Sequence, residues 1–170
     1  MKHVLQAFTM HIDGVDHAYD TEEVTIPIPT PMTEEYKGGG MPMAVNQPMG
    51  MFEALEATVK MAGHSPEVLQ HMAKSPGKTT LVHFRGAVRP EPSADDVAHV
   101  VSIQGCVNGG SHDTWTKGGK SGLEFVINGI IYFKYEVADK ILQEVGAYPP
   151  IWNINGTDEL FGVNQILGIR

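Results

Sequence analysis

From residue 123 to residue 137 the chain reads LEFVINGIIYFKYEV, and its apolar positions recur at every second place. Leu123, Phe125, Ile127, Gly129, Ile131, Phe133, Tyr135 and Val137 fall on one side; Glu124, Asn128, Tyr132, Lys134 and Glu136 fall on the other. A period of two belongs to a half-buried β-strand and not to a helix. At ~3.3 Å per residue such a segment extends about 50 Å. That is long for a small domain, so a bend is expected, with Gly129 as the residue that allows it.

Shorter alternating runs mark further strands. Residues 4–12 (VLQAFTMHI) end at the turn pair Asp13-Gly14, residues 79–89 set Val82, Phe84 and Val88 on one face, and residues 97–107 form another run. Residues 23–31 (EVTIPIPTP) are extended, and their prolines confine them to an edge or a loop. In 51–61, Met51, Leu55, Val59 and Met61 oppose Glu56, Thr58 and Lys60, which favours a strand, although Glu53 to Glu56 are also helix-competent. One clear helix is expected at about 65–75. Ser65 suits the N-cap, Pro66 the first helical position, and Val68, Leu69, Met72 and Ala73 form its apolar stripe. Ser75-Pro76-Gly77 would stop it. Residues 137–147 (VADKILQEVGA) suit either a short helix or the return strand of a hairpin, and the tail beyond them reads as loop-rich. The pattern predicts a mainly β, antiparallel chain with one flanking helix.

Composition agrees with this. Nineteen Gly and eleven Pro imply many turns, while 42% hydrophobic and 19% charged residues fit one globular domain over 1–170. The net charge of -8 disfavours sequence-specific nucleic-acid binding, which draws its affinity from Lys and Arg on phosphates. No apolar run reaches membrane-spanning length and no signal-peptide pattern is seen, so no membrane anchor is expected.

Candidate chemistry is sparse. TKGGKSG, 116–122, carries Gly119, Lys120 and Ser121 like the end of a phosphate-binding loop, but position 114 is threonine where that motif needs glycine. A strand pattern follows it, so no helix N-terminus is on hand to receive a phosphate. The lysine and serine read as solvated loop residues. Cys106, alone in its type, reads as a small buried hydrophobe. The eight histidines make no close ligand pair, and Asp13, Asp16, Asp20, Glu22 and Glu23 do not keep calcium-loop spacing. No catalytic residue, cofactor site or metal site is expected. Residues 34–51 (EEYKGGGMPMAVNQPMGM) stand apart: three consecutive glycines and four methionines among Gly and Pro suggest an extended loop whose apolar groups meet a partner.

The order of these pieces resembles the major tail tube proteins of contractile-tailed phages and phage tail-like bacteriocins. The similarity is carried by the strand ending at Asp13-Gly14, VTIPIP, EEYKGGGM with PMGM, Phe84-Arg85-Gly86, GLEFVINGIIYFKYEV and the ending INGTDEL with Leu167-Gly168. Ala138-Asp139 stands where that family carries Asp-Gly in the hairpin turn, and an acidic residue it carries near the end of the return strand is replaced around Gly146.

The resemblance implies a two-sheet antiparallel barrel or sandwich flanked by a helix. Six copies would form a ring, and rings would stack into a hollow tube inside a sheath. The partners implied are further copies of the chain, the tail sheath, tape-measure, baseplate and tail-terminator proteins, with DNA only as transient cargo in the lumen. The place implied is the virion tail, assembled in the host cytoplasm. Tyr36, Gly38, Gly39, Gly40, Met41, Met43 and Met49 would then contact the next ring. Polar faces of the alternating strands would line the lumen, giving Glu56, Thr58, Ser102, Gln104, Glu124 and Asn128 as candidates, and an acidic lumen would repel DNA phosphates. Two rivals are a type VI secretion tube subunit, whose fold is related, and a small β-barrel ligand-binding module or enzyme, which needs a pocket with convergent polar groups.

Overall fold

The computed structural model describes residues 2–169; residues 1 and 170 of the expected 1–170 domain lie outside the described residues. In chain order the elements are β1 (His3–Ile12), β2 (Val15–Asp16), β3 (Thr21–Thr25), β4 (Pro31–Tyr36), β5 (Val45–Phe52), β6 (Ala57–Met61), α1 (Pro66–His71), β7 (Thr80–Pro90), β8 (Val97–His112), β9 (Leu123–Val137), β10 (Lys140–Gly146), β11 (Ile151–Ile154), β12 (Thr157–Asp158) and α2 (Phe161–Leu167). The expected mainly β, antiparallel architecture is the one the chain adopts.

Ten strands form one hydrogen-bonded sheet in the order β12-β11-β10-β9-β8-β7-β1-β2, with β3 joined through β6 to β9; β4 and β5 form a sheet of their own. The larger sheet forks at β9. One edge of β9 pairs with β8, while its other edge takes β6 along Leu123–Ile127 and β10 along 132–137. Gly129, at φ 55°, lies between the two partners. There the register with β8 steps from Gln104↔Tyr132 to Cys106↔Asn128, so β9 spends four residues where β8 spends two. The bend expected at Gly129 is therefore a bulge. Within it the side-chain phase slips, and Ile130 rather than Ile131 packs against the core.

The faces turned inward make one core. It joins Met10 and Ile12 of β1, Ala57, Val59 and Met61 of β6, Val82 and Phe84 of β7, Val101, Ile103 and Val107 of β8, and Leu123, Phe125, Ile127 and Phe133 of β9. Val68 of α1 closes one side of it. Burying a Phe of this kind contributes roughly 1.5–3 kcal/mol, so Phe125 and Phe133 anchor the two arms of the fork. The β8–β9 pair also comes together very closely. A Cβ on Gly110 (φ 138°) would lie 2.2 Å from the Glu124 carbonyl oxygen, a place only glycine can hold.

Several local expectations are corrected. Residues 34–51 form no loose loop but most of the β4–β5 hairpin. Its prolines are admitted because every strand of a two-stranded ribbon is an edge. The helix is shorter than 65–75: after His71, Met72 forms a parallel bridge with Val107, and the Ala73 N–H donates to the Val107 carbonyl (3.1 Å), so pairing with β8 takes over the backbone. Ser65 occupies the N-cap position without a side-chain cap bond. Residues 140–146 are the return strand. The turn into it places Ala138 (φ 48°) and Asp139 (φ 63°) in the left-handed region, the pair of conformations that a two-residue hairpin requires. The tail is not loop-rich; it holds β11, β12 and a second helix, α2, ended by Gly168 at φ 68°. Cys106 is half-exposed rather than buried, because its phase along β8 puts it on the face opposite Val107.

Candidate assembly surfaces

Among the described residues the β4–β5 hairpin pairs with no further strand. Its register runs Tyr36↔Val45, Glu35↔Asn46, Glu34↔Gln47 and Thr33↔Pro48, then a bulge at Gly50 (φ 71°) leads to Pro31↔Phe52. The root is fixed: the Phe52 and Trp152 rings meet edge-on with centroids 4.6 Å apart, and the Glu53 N–H donates to Thr30 O (2.9 Å). The tip is folded on itself. Met41 N–H donates to Gly38 O (2.9 Å), and Gly38 N–H points at Met41 Sδ (3.3 Å). Along the hairpin and its tip lie exposed Met32, Tyr36, Met41, Met43, Val45, Met49 and Met51, with Met43 at 69% exposure. A lone two-stranded hairpin is marginally stable in water, and a row of exposed methionines marks a contact surface. Of the contact residues expected from sequence, Tyr36, Met43 and Met49 are exposed on this hairpin; Gly38, Gly39, Gly40 and Met41 form its tip.

The second surface is the sheet face turned away from the core. Here Asp16, His11, His83, Ser102, Lys134, Glu144, Asn153 and Asp158 are register partners in turn, one polar residue on each of eight strands from β2 to β12. His83 Nδ1 contacts Ser102 Oγ (2.8 Å), Lys134 Nζ pairs with Glu136 (3.2 Å), and Glu144 accepts from both the Tyr132 hydroxyl (2.7 Å) and Asn153 Nδ2 (2.8 Å). Further along, Gln104 Nε2 donates to Thr79 Oγ1 (2.9 Å) and Asn108 Nδ2 to Asn128 Oδ1 (3.1 Å). Thr58 and Glu124 lie on the same face, as their alternation with Val59 and Phe125 requires. Five of the six polar candidates thus share one surface. Glu56 falls just before β6, exposed and outside any strand. His11, His83 and Glu144 join this face through the register between strands, which local sequence does not announce.

Burial shapes the titration of this face. Desolvation foremost, then the charges of Arg85, His11 and Lys134, hold the His83 pKa below the ordinary histidine value. Burial first, then the bond to Glu144, pushes the Tyr132 hydroxyl above its usual range. The face is not uniformly acidic, since Lys60, Arg85 and Lys134 share it with Glu124, Glu136 and Glu144. Lys134 is nonetheless neutralised by Glu136.

The remaining motifs are absorbed by structure. Lys120 is an exposed loop residue, as expected, and it also forms an ion pair with Glu22 of β3. Ser121 Oγ lies 3.1 Å from His64 Nε2. Asp16 accepts from Thr9 Oγ1 (2.7 Å) and the Ala18 N–H (3.0 Å). An open groove of about 580 Å³ lies between β3 and the β1–β7–β8 face, lined mainly by apolar side chains such as Leu5, Val24, Ile26 and Val88. Two of its polar groups, His99 Nδ1 and the Tyr135 hydroxyl, already bond each other (2.8 Å).

The described residues thus form an antiparallel β chain with an exposed apolar hairpin and a broad polar sheet face. The family model for the phage tail tube protein FII matches residues 2–168, so the chain belongs to that family. Over 66 residues it is 38% identical to the major tail tube protein of Serratia phage KSP20, a match covering 38% of this chain and 39% of that relative. The aligned stretch thus spans about two-fifths of that curated relative's length. Membership makes the chain a phage tail tube protein, and its place is the virion tail.

Proposed function

We propose that the chain acts as one tail-tube domain that forms hexameric rings, stacked into the inner tube of a contractile tail or tail-like particle. The tube is a hollow conduit for genome delivery or envelope puncture, and the subunit performs no catalysis. The observation that carries this reading is the β4–β5 hairpin, which among the described residues pairs with no other strand and leaves apolar side chains such as Tyr36, Met43, Val45, Met49 and Met51 more than two-fifths exposed. On this reading the hairpin reaches the next ring, where burying its apolar groups drives stacking. Hairpin and sheet face occupy different parts of the subunit. Contacts between unlike patches repeat head to tail, which suits open-ended stacking.

The polar sheet face lines the lumen. Its hydrogen bonds and ion pairs hold side chains against one another, and a cation already paired with a carboxylate has little left to offer a phosphate. DNA is transient cargo there. The sheath packs outside, the tape-measure protein sets the length, and baseplate and terminator proteins cap the two ends.

Electron microscopy of the purified chain tests this. Six-membered rings or tubes are expected. Dispersed monomers at concentrations where tail tubes assemble would overturn it.

A further inference from the structure

The two strands that flank the start of β9 each deliver a histidine to one point. Met61 of β6 and His112 of β8 both pair with Leu123, from opposite sides. Three residues past Met61 the chain reaches His64, and His64 Nδ1 lies 3.0 Å from His112 Nδ1. The backbone on both sides is pinned. Ala62 N–H donates to Asp20 O (2.7 Å), while Asp113 N–H donates to Gly122 O (3.0 Å) and Gly122 N–H to Asp113 Oδ2 (2.9 Å).

Two imidazole Nδ1 atoms at this distance need a proton or a cation between them. Ser121 Oγ sits 3.1 Å from His64 Nε2. When it accepts from Nε2–H, it fixes the tautomer in which Nδ1 carries a lone pair, as an outer hydrogen bond does for a metal-binding histidine. His112 in the same tautomer aims a second lone pair at the same point. The Trp115 ring lies beside that of His64, with centroids 5.4 Å apart.

We infer that His64 and His112 form a chelating site for a divalent first-row transition-metal ion, with Cu2+ and Ni2+ preferred to Zn2+. The preference comes from the bite. With metal–nitrogen bonds of ~2.0–2.1 Å, a nitrogen separation of 3.0 Å subtends roughly 91–97° at the ion. That matches adjacent positions of a tetragonal Cu2+ or Ni2+ and falls short of the tetrahedral angle that Zn2+ adopts. Among the described residues no group of three or more His, Cys, Asp and Glu converges, so water fills the other positions. The bound ion staples the 113–122 loop to the segment entering α1. Nothing in the tail-tube role calls for this site, and it stands or falls independently of that role.

Calorimetric titration of the full-length chain with copper, nickel and zinc chloride tests it. His3 is changed to Ala in every sample, so that a histidine near the amino terminus does not compete. One ion per chain is expected, with copper bound most tightly. His64→Ala and His112→Ala should each weaken binding by roughly tenfold or more, and Ser121→Ala by a smaller factor. The copper spectrum in electron paramagnetic resonance should show two nitrogen ligands, and nickel should raise the Tm of the parent but not of His112→Ala. Since His112 is exposed, that variant keeps the fold and separates lost ligation from lost structure. Absence of saturable binding, or binding unchanged in both histidine variants, overturns the site.

Discussion

His83 Nδ1 and Ser102 Oγ, 2.8 Å apart, face each other across the β7–β8 pairing on the polar side of the sheet. Ser102 is only 4% exposed. Ser102→Ala leaves the imidazole nitrogen without this partner, and a loss of about 1–3 kcal/mol is expected in denaturant unfolding.

The same pair sets a pH dependence. Burial, aided by Arg85, His11 and Lys134, lowers the His83 pKa in the folded chain, while the unfolded chain protonates near the ordinary value of about 6.5. The unfolded state therefore binds the proton first as pH falls. Stability from this group is complete above about pH 6.5 and is lost on acidification below it. His99, also lowered chiefly by burial, acts with the same sign. Tm measured from neutral to mildly acidic pH should fall, and His83→Gln should flatten that fall.

Truncating Met41 and Met43 together to Ala should leave the subunit's Tm nearly unchanged, because both lie at the exposed hairpin tip and such surface changes are usually within ~0.5 kcal/mol. Tube growth followed by light scattering should slow and stop short. Normal growth would remove the hairpin from the ring-to-ring contact.

Cysteines at Thr58 and Asn128 should react with small thiol reagents in assembled tubes and resist bulky ones. Cys106 lies half-exposed on the same face, so the labelling is done in a Cys106→Ser background. Equal access to bulky reagents would place that face outside.

Gly110→Ala should prevent accumulation of soluble folded chain. Its backbone conformation alone costs a side-chain-bearing residue about 1–3 kcal/mol, and its Cβ would lie 2.2 Å from Glu124 O. At Ala138 the opposite change applies. An alanine sits there at φ 48°, so Ala138→Asn, which tolerates that conformation, should raise stability by up to ~1 kcal/mol.

The strands with regular alternation were legible in the sequence because their two faces meet different solvents. Val82, Phe84 and Val88, or Leu123, Phe125 and Ile127, reveal their strands by composition alone. Pairing decided what the pattern left open. Residues 137–147 have helical propensity as well as alternation, and β9 settled them as a strand through Val145↔Phe133. Met72 left the expected helix for a bridge to Val107, a partner 35 residues away that no local signal announces. The hairpin at 31–52 was hidden for the reverse reason: both its faces are exposed, so no apolar alternation was needed to build it. The polar row suffered from scale. Each member is one residue in one strand, and only the register between strands makes them neighbours.

The hairpin's exposed methionines also give each subunit a chemical age. Thioethers open to solvent oxidise to sulfoxides, which turns an adaptable apolar group into a polar one. Before assembly Met43, Met49 and Met51 stand open to oxidants; once packed against a neighbouring ring they would be shielded. Oxidative damage would then fall on the free pool and spare the finished tube. A cell under oxidative stress would lose the ability to extend tails while those already built stayed sound.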